Sequence, residues 1–476
     1  MKTINCWFAL MLLSAAAQSQ MPLGNYWDTW YMHDQVSLEF TAGLMPVVVL
    51  DSCPMSFGDF IYTVTDPVSG KVAFSISTDE GVLDGNGDPV AGGSGFIDHG
   101  STHVIPHPGD ATLYYLFWSV SSITYSLLQV DVQAGTAAFV PDETDVLLAT
   151  GVGSDVGICS APDGIDHWLL LHHYSDSTLL TYNVNAGVGL VTTPVVQSLS
   201  QALPVNVRFK CSPDNTKLLI SKGNGNFLLH ALDPATGLLG EAISISVPGG
   251  GAGGEFSPNA QVLYVTRFVQ PDSARWLQFD LSSGDETTIN NSAVLLDLDG
   301  IACADGPPGM QLAPDGRIYC ILAGGPPPNY NYYETHLAII HYPNTIGVGC
   351  QLDTVGLNMM RTGMIPYSPP KAHWFGTPLS AVEADFVQAN ASGSSLRINA
   401  VPNPASAWLD ISLQDAAPSG TRVELLNTAG QQVWNERWRG GSQNRVVLPS
   451  LSAGMYTLRM TTPSGVSGKT RITIAH

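Results

Sequence analysis

One tight turn, written five times, constrains this chain more than any other feature. Cys211-Ser212-Pro213-Asp214-Asn215-Thr216 runs into the β-rich stretch Lys217-Leu218-Leu219-Ile220. The same device appears as Pro108-Gly109-Asp110 before Leu113–Phe117 and as Pro162-Asp163-Gly164 before Trp168–Leu171. It returns as Pro258-Asn259-Ala260 before Val262–Val265 and as Pro314-Asp315-Gly316 before Ile318–Ile321. Proline presets φ for the first corner, and Asp, Asn or Gly accepts the bonds and dihedrals of the next. Successive turn prolines fall 54, 51, 45 and 56 residues apart.

A second turn keeps phase with the first. Asp131…Gly135, Asn183…Gly187, Asp233…Gly237 and Asp280…Gly284 follow the preceding proline by 23, 21, 20 and 22 residues. Two turns in register, recurring every ~40–50 residues with β-branched and aromatic runs between them, predict the blades of a β-propeller. The fold class is therefore all-β, with a propeller over 25–375 and seven blades as the expected count, six and eight being the alternatives. Asp51–Ile76 is the first full unit, in which Asp66-Pro67-Val68-Ser69-Gly70 joins Ile61–Val64 to Lys71–Ile76. Which of the two recurring turns it represents is left open by the residues. Propellers close by pairing strands from both chain ends in one blade, which removes a free sheet edge. Gln35–Phe40 and His336–His341 are the candidates for that closure.

Only 12% of the 476 residues are charged, with 48 Gly and 32 Pro, which disfavours long solvated helices. A net charge of −21 repels phosphate backbones and anionic lipid, so nucleic-acid and membrane-surface binding are disfavoured. Lys2, the apolar run Trp7–Leu13 and the small residues Ala15-Ala16-Ala17-Gln18-Ser19 read as a secretory signal peptide over 1–19, cleaved after Ser19. No other stretch is long and apolar enough for a transmembrane helix, so none is expected in the mature chain. Cys6 leaves with the signal, and Cys53, Cys159, Cys211, Cys303, Cys320 and Cys350 remain, which allow 15 pairings. A bond from Cys303 to Cys320 or Cys350 would fasten the Gly-rich loops around them. Buried thiols acting as small hydrophobes are the alternative. No C-x-x-C occurs, so zinc and redox motifs have no support.

Composition changes before the C-terminus. Residues 376–395, ending in Gln388-Ala389-Asn390-Ala391-Ser392-Gly393-Ser394-Ser395, read as a linker. Beyond it lie the expected strands Leu396–Ala400, Trp408–Leu413, Arg422–Asn427, Gln432–Arg437, Arg445–Leu448, Gly454–Thr461 and Lys469–Ala475. Seven short alternating strands in 396–476 predict a small immunoglobulin-like β-sandwich. Arg437, Arg439, Arg445, Arg459 and Arg471 make this end much less acidic than the rest.

The tail resembles the C-terminal sorting domain (type A) of cargo for the type IX secretion system of Gram-negative bacteria. Three stretches and the last strand carry the resemblance. They are Val401-Pro402-Asn403-Pro404-Ala405, Val423–Gly430, Leu451–Leu458 and Lys469–Ala475. Pro402-Asn403-Pro404 fixes an extended start that no helix continues, while Gly430 and Gly454 read as hairpin corners, with Tyr456 in the motif that follows. The resemblance implies export by the signal peptide and a dedicated outer-membrane translocon, with the secretion machinery as partner of 396–476. It further implies a secreted or outer-surface location. An ordinary adhesive immunoglobulin-like module is the alternative. The front part is similar, more loosely, to the propeller of gliding-motility-associated surface proteins. Asn25-Tyr26-Trp27, Gln311–Tyr319 and His341-Tyr342-Pro343-Asn344 match that pattern, whereas Tyr31-Met32-His33-Asp34 departs from it.

Candidate chemistry is sparse. Asp84-Gly85-Asn86-Gly87-Asp88 spaces oxygen donors as calcium loops do, making calcium at Asp84, Asn86 and Asp88 a candidate. An EF-hand needs Gly and Glu where this chain has Pro89 and Gly95, so a Gly-rich turn is favoured. His99, His103 and His107 recur four apart, but on a strand each step spans ~13 Å, too far for one metal. Asp163, Asp166, His167, His172 and His173 form a second group, in which Asp163 belongs to its turn and the His172-His173 pair faces both ways. No G-x-S-x-G elbow and no phosphate loop occurs, and Pro248–Gly254 reads as an inter-blade loop. No catalytic residue and no metal ligand is assigned. The aromatic run at Tyr330, Tyr332 and Tyr333 would suit stacking on carbohydrate.

These residues favour a non-enzymatic exported protein whose propeller binds a glycan, protein or peptide through loops at its rim or channel mouth. The alternative is a secreted propeller hydrolase, lactonase-like, with a metal at the channel mouth. That alternative needs histidines and carboxylates from several blades to meet at the axis.

Overall fold

The computed structural model describes residues 26–359 and 398–474, less short internal segments of which the longest are 94–101, 297–308 and 322–335. The proposed signal peptide and the linker 376–395 lie outside the described residues. The chain divides into two compact units, Met1–Ala384 and Asp385–His476.

Among its described residues the first unit contains seven antiparallel sheets in chain order. The first comprises β1 (Thr29–Tyr31), β2 (Val36–Glu39) and β3 (Val47–Leu50), and the second β4 (Ile61–Thr65), β5 (Val72–Ser77) and β6 (Gly81–Asp84). The third holds β7 (Thr102–Pro106), β8 (Leu113–Ser119) and β9 (Ser122–Asp131), with β10 (Thr136–Phe139) and β11 (Val146–Thr150) both paired to β9. The fourth repeats that plan. β12 (Gly157–Ser160), β13 (His167–His172) and β14 (Thr178–Asn185) are followed by β15 (Gly189–Leu190) and β16 (Val195–Ser198), both on β14. The fifth is β17 (Arg208–Cys211), β18 (Lys217–Ser221), β19 (Asn226–Asp233) and β20 (Leu238–Ser246). The sixth is β21 (Gly254–Phe256), β22 (Val262–Val269), β23 (Ser273–Asp280) and β24 (Val294–Leu296), with the short helix α1 (Glu286–Asn291) before β24. The seventh is β25 (Met310–Leu312), β26 (Ile318–Ile321), β27 (His336–Ile340) and β28 (Leu352–Asn358).

All five proline turns join the first strand of a sheet to the second. In four of them the residue after proline folds back as an Asx turn. Asp163, Asp214, Asn259 and Asp315 each accept the amide two residues on, from Ile165, Thr216, Gln261 and Arg317, at 2.9, 3.1, 3.1 and 3.1 Å. The later turns join the third strand to the fourth, where Gly135 and Gly237 take positive φ of 71° and 69° and bond back to Asp131 and Asp233. In the fourth sheet this turn sits two residues later than the spacing suggests. Asn185 receives the Gly187 and Val188 amides, and Gly189 takes the positive φ. Asp66–Gly70 connects β4 to β5, the place of the proline turns, yet has the chemistry of the later ones, with Gly70 N–H bonding Asp66 C=O at 2.9 Å.

Each sheet packs its apolar faces on the next. Tyr62, Phe74 and Ile76 of the second meet Tyr114, Leu116 and Leu128 of the third. Further shared cores join the third sheet to the fourth, the fourth to the fifth, the fifth to the sixth and the sixth to the seventh. The ring closes where Trp30, Val36 and Leu38 of the first sheet bury against Tyr319, Leu337 and Ile339 of the seventh. This is a seven-bladed propeller. Its closure differs from the sequence expectation, because among the described residues β2 pairs only with β1 and β3, and β27 only with β26 and β28. The two candidate strands meet through side chains rather than through a ladder. Full burial of a side chain such as Leu38 or Ile339 stabilises by about 1.5–3 kcal/mol, enough for several together to hold the seam.

The second unit contains β29 (Ile398–Val401), β30 (Trp408–Ala417), β31 (Arg422–Leu426), β32 (Gln432–Arg437), β33 (Gly441–Val447), β34 (Gly454–Thr461) and β35 (Ser467–Ile474). One sheet runs β29-β30-β33 and the other β32-β31-β34-β35. Leu409, Ile411 and Val446 from the first share a core with Val423, Leu425, Leu458 and Ile472 from the second, as a sandwich requires. Gly454 is not a hairpin corner. It opens β34, after the chain has crossed from β33 in one sheet to the other.

The cysteines depart from the first expectation, while Cys53, Cys320 and Cys350 meet the alternative of buried thiols. Cys159 bonds Cys211, 52 residues apart. Cys320 and Cys350 are buried thiols in the core shared by the sixth and seventh sheets, so the bond from Cys303 to either is not formed. Cys303 itself lies outside the described residues. The true partners sit at neighbouring first strands, which only the ring brings together.

Candidate functional site

The first strands of successive sheets meet laterally, and polar side chains join them from one sheet to the next. Thr63 and Thr65 of β4 accept the Tyr31 and Thr29 amides of β1 at 2.9 and 3.3 Å. Tyr62 of β4 reaches His103 Nδ1 of β7 at 3.4 Å, and His103 Nε2 lies 2.9 Å from Asp155 Oδ1, just before β12. The other Asp155 oxygen accepts the Phe209 amide of β17 at 3.0 Å. Lys210 of β17 pairs with Glu255 of β21 at 2.6 Å and donates to Gln311 Oε1 of β25 at 3.2 Å. Glu255 Oε2 also accepts the Leu312 amide at 2.9 Å. Six links thus lead from the first sheet to the seventh.

Burial sets the chemistry of these groups. Tyr62 is fully buried, and burial first, with the Asp155 charge second, holds its phenol well above the ordinary value, so it stays a neutral donor to His103. His103 then donates from Nε2 to the Asp155 carboxylate. The order Tyr–His–Asp has the outline of a catalytic relay, but its first member is 1% exposed and reaches no substrate from solvent. Glu255 has no exposed side-chain surface and accepts from Phe256, Leu312 and Lys210, so its lone pairs are occupied. His172 donates Nε2 to the Pro204 carbonyl at 2.9 Å, and burial lowers its pKa. Its Nδ1 finds no partner among the described residues.

Sequence reasoning singled out His103 and passed over the rest. Lys210, Glu255 and Gln311 each stand three residues before the proline of their turn, so a phase-aligned reading of the repeats would have found them. Asp155 stands outside that phase, and no local signal marks it.

The other sequence candidates do not converge. Tyr330, Tyr332 and Tyr333 lie outside the described residues, as do His99, Pro402, Asn403, Pro404 and Gly430. Asp84 Oδ1 accepts the Asn86 and Asp88 amides at 3.0 and 2.9 Å, and Asn86 donates to Ala134 of the neighbouring sheet at 3.1 Å. This is the hydrogen bonding of a turn. Among the described residues no group of three or more His, Cys, Asp or Glu side chains is arranged to hold a metal ion. His107 stacks on Tyr115, with centroids 5.5 Å apart, and its ring bonds the Gly109 amide. His167 is buried against Ser160 Oγ at 3.3 Å, a serine–histidine pair that burial closes to any substrate. His172 and His173 do face opposite ways, one buried and the other 3.6 Å from Asp176. Tyr456 bonds Ser452 C=O at 2.9 Å and packs on the sandwich core.

No curated protein matches the chain. Solved structures resemble it at low identity. A putative 6-phosphogluconolactonase from Bacteroides uniformis is 15% identical with a TM-score of 0.38, covering 81% of this chain and 98% of that one. A putative 6-phosphogluconolactonase from Bacteroides fragilis is 11% identical with a TM-score of 0.40, covering 72% and 97%. TolB from Acinetobacter baumannii is 13% identical with a TM-score of 0.32, covering 66% and 68%. None of these likenesses transfers an activity. Among the described residues no helix is long and apolar enough to cross a membrane. Residues 399–474 match the family model of the secretion system C-terminal sorting domain, which supports type IX sorting and indicates a protein secreted or held on the outer surface of a Gram-negative bacterium.

Proposed function

We propose that the protein is an exported binding protein: its propeller engages an extracellular glycan, protein or peptide, and its C-terminal sandwich directs export. The sorting-domain match over 399–474 carries this reading, supported by the sandwich having a core of its own. His103, Asp155 and Glu255 of the propeller are spent on linking sheets, which favours binding over catalysis. Loops at the rim then supply recognition, with Tyr330, Tyr332 and Tyr333 as the aromatic contacts for a sugar face. Calcium at Asp84, Asn86 and Asp88 remains the one cofactor proposal, and metal analysis of purified protein tests it: absence of stoichiometric calcium removes it.

Deleting 396–476 tests the export reading. The truncated chain should accumulate in the periplasm and vanish from medium and cell surface, and undiminished export would sink the proposal. Glycan-array binding tests the ligand. Binding that survives replacement of Tyr330, Tyr332 and Tyr333 by Ala removes those residues from the site.

A further inference from the structure

The outward face of the four-stranded sheet in the sandwich gathers cations. Along β31 the side chains of Val423 and Leu425 enter the core, which leaves Arg422 and Glu424 on the other face. Register then sets Arg437 opposite Arg422, and Arg459 opposite Glu424. Lys469 stands opposite Arg459, and Arg471 opposite Thr457. One carboxylate thus shares its face with five basic positions.

That carboxylate is not exposed. Glu424 is 2% accessible, clamped by Arg459 Nε and Nη2, both at 2.8 Å, and by Arg422 Nη1 at 3.5 Å. It fixes the Arg459 guanidinium in place, so that group's ordering cost is met before any partner arrives. Arg422 and Arg437 remain exposed at the edge of this array.

Charge is partitioned along the whole chain. Residues 396–476 carry eight Lys and Arg against four Asp and Glu, while the preceding residues carry eleven against thirty-six. On the outer face of the other sheet, Arg445 lies 3.9 Å over the Trp408 ring and forks onto Asp410 at 2.6 and 2.7 Å, so these two charges offset each other. Guanidinium arrays of this kind pair with carboxylates in bidentate fashion.

We infer that this face, centred on Arg422, Arg437 and Arg459, is where the sandwich docks on an acidic protein surface of the secretion machinery. The inference rests on the export reading above, which requires a protein that recognises this domain. Charge complementarity selects the face.

The test uses the full-length chain in a bacterium that has the secretion system. Arg422→Glu with Arg437→Glu should lower the amount outside the cell at least tenfold, with folded, protease-resistant protein retained in the periplasm. Arg422→Lys with Arg437→Lys should keep most of the export, and Arg445→Gln, on the opposite sheet, should export normally. Wild-type export of the charge-reversed chain overturns the inference while leaving the deletion result intact. Purified full-length protein is also assayed on phosphatidylglycerol vesicles. Binding there that the double reversal abolishes would make the face a lipid contact and overturn docking on a protein. If the 396–476 deletion exports normally, the export reading itself falls.

Discussion

Cys159 of β12 and Cys211 of β17 are disulfide-bonded, with Cα atoms 5.9 Å apart, and so fasten the first strands of the fourth and fifth sheets. At the matching step one sheet further on, the Lys210–Glu255 ion pair occupies the same role. A covalent and an ionic solution to one geometric problem stand side by side in the ring.

The disulfide closes a loop between residues 52 apart, for which chain entropy alone implies about 4 kcal/mol of stabilisation. Replacing both cysteines by Ala, or reducing the native protein, should lower the thermal midpoint by several degrees. Identical melting curves with and without reductant would show that the bond contributes nothing.

Glu255 is entirely buried, so removing its cation leaves a charge with only backbone amides for company. Lys210→Met should therefore cost about 3–5 kcal/mol in urea unfolding. Lys210→Met combined with Glu255→Gln should cost less than the first change alone. A single-variant loss under about 1 kcal/mol would contradict the pairing.

Acid should destabilise the propeller before its carboxylates titrate. Burial pushes the His167 imidazole down to about 3, and burial likewise lowers His172, His230 and His341. The folded state keeps these rings neutral, whereas the unfolded chain protonates them near 6.5, so the stabilisation is complete above that value. It is lost as pH falls from 6.5 toward 3, and between pH 6.5 and 5 His167 alone removes about 2 kcal/mol. Urea midpoints across this window report the loss. A pH slope that His167→Gln leaves unchanged would exclude His167 as a source.

Much of the architecture was legible in one dimension because turns are local. A proline followed by Asp or Asn, and a glycine at positive φ four residues after Asp, specify backbone geometry without help from distant residues. Their phase therefore disclosed the blades, and alternation within Arg422–Leu426 and Gly454–Thr461 disclosed the sandwich. The sorting motif is equally local and was read from the tail.

The partners across the ring were decided by the tertiary structure alone. Asp155 meets His103, Cys159 meets Cys211 and Leu38 packs on Leu337 because curvature brings successive sheets together, and sequence separation carries no trace of that curvature. The same holds for the seam, where side-chain burial replaced the strand pairing that edge avoidance had suggested. In the sandwich, the strand segments were readable in order, but their assignment to two sheets was not. That assignment turns five scattered basic residues into one face.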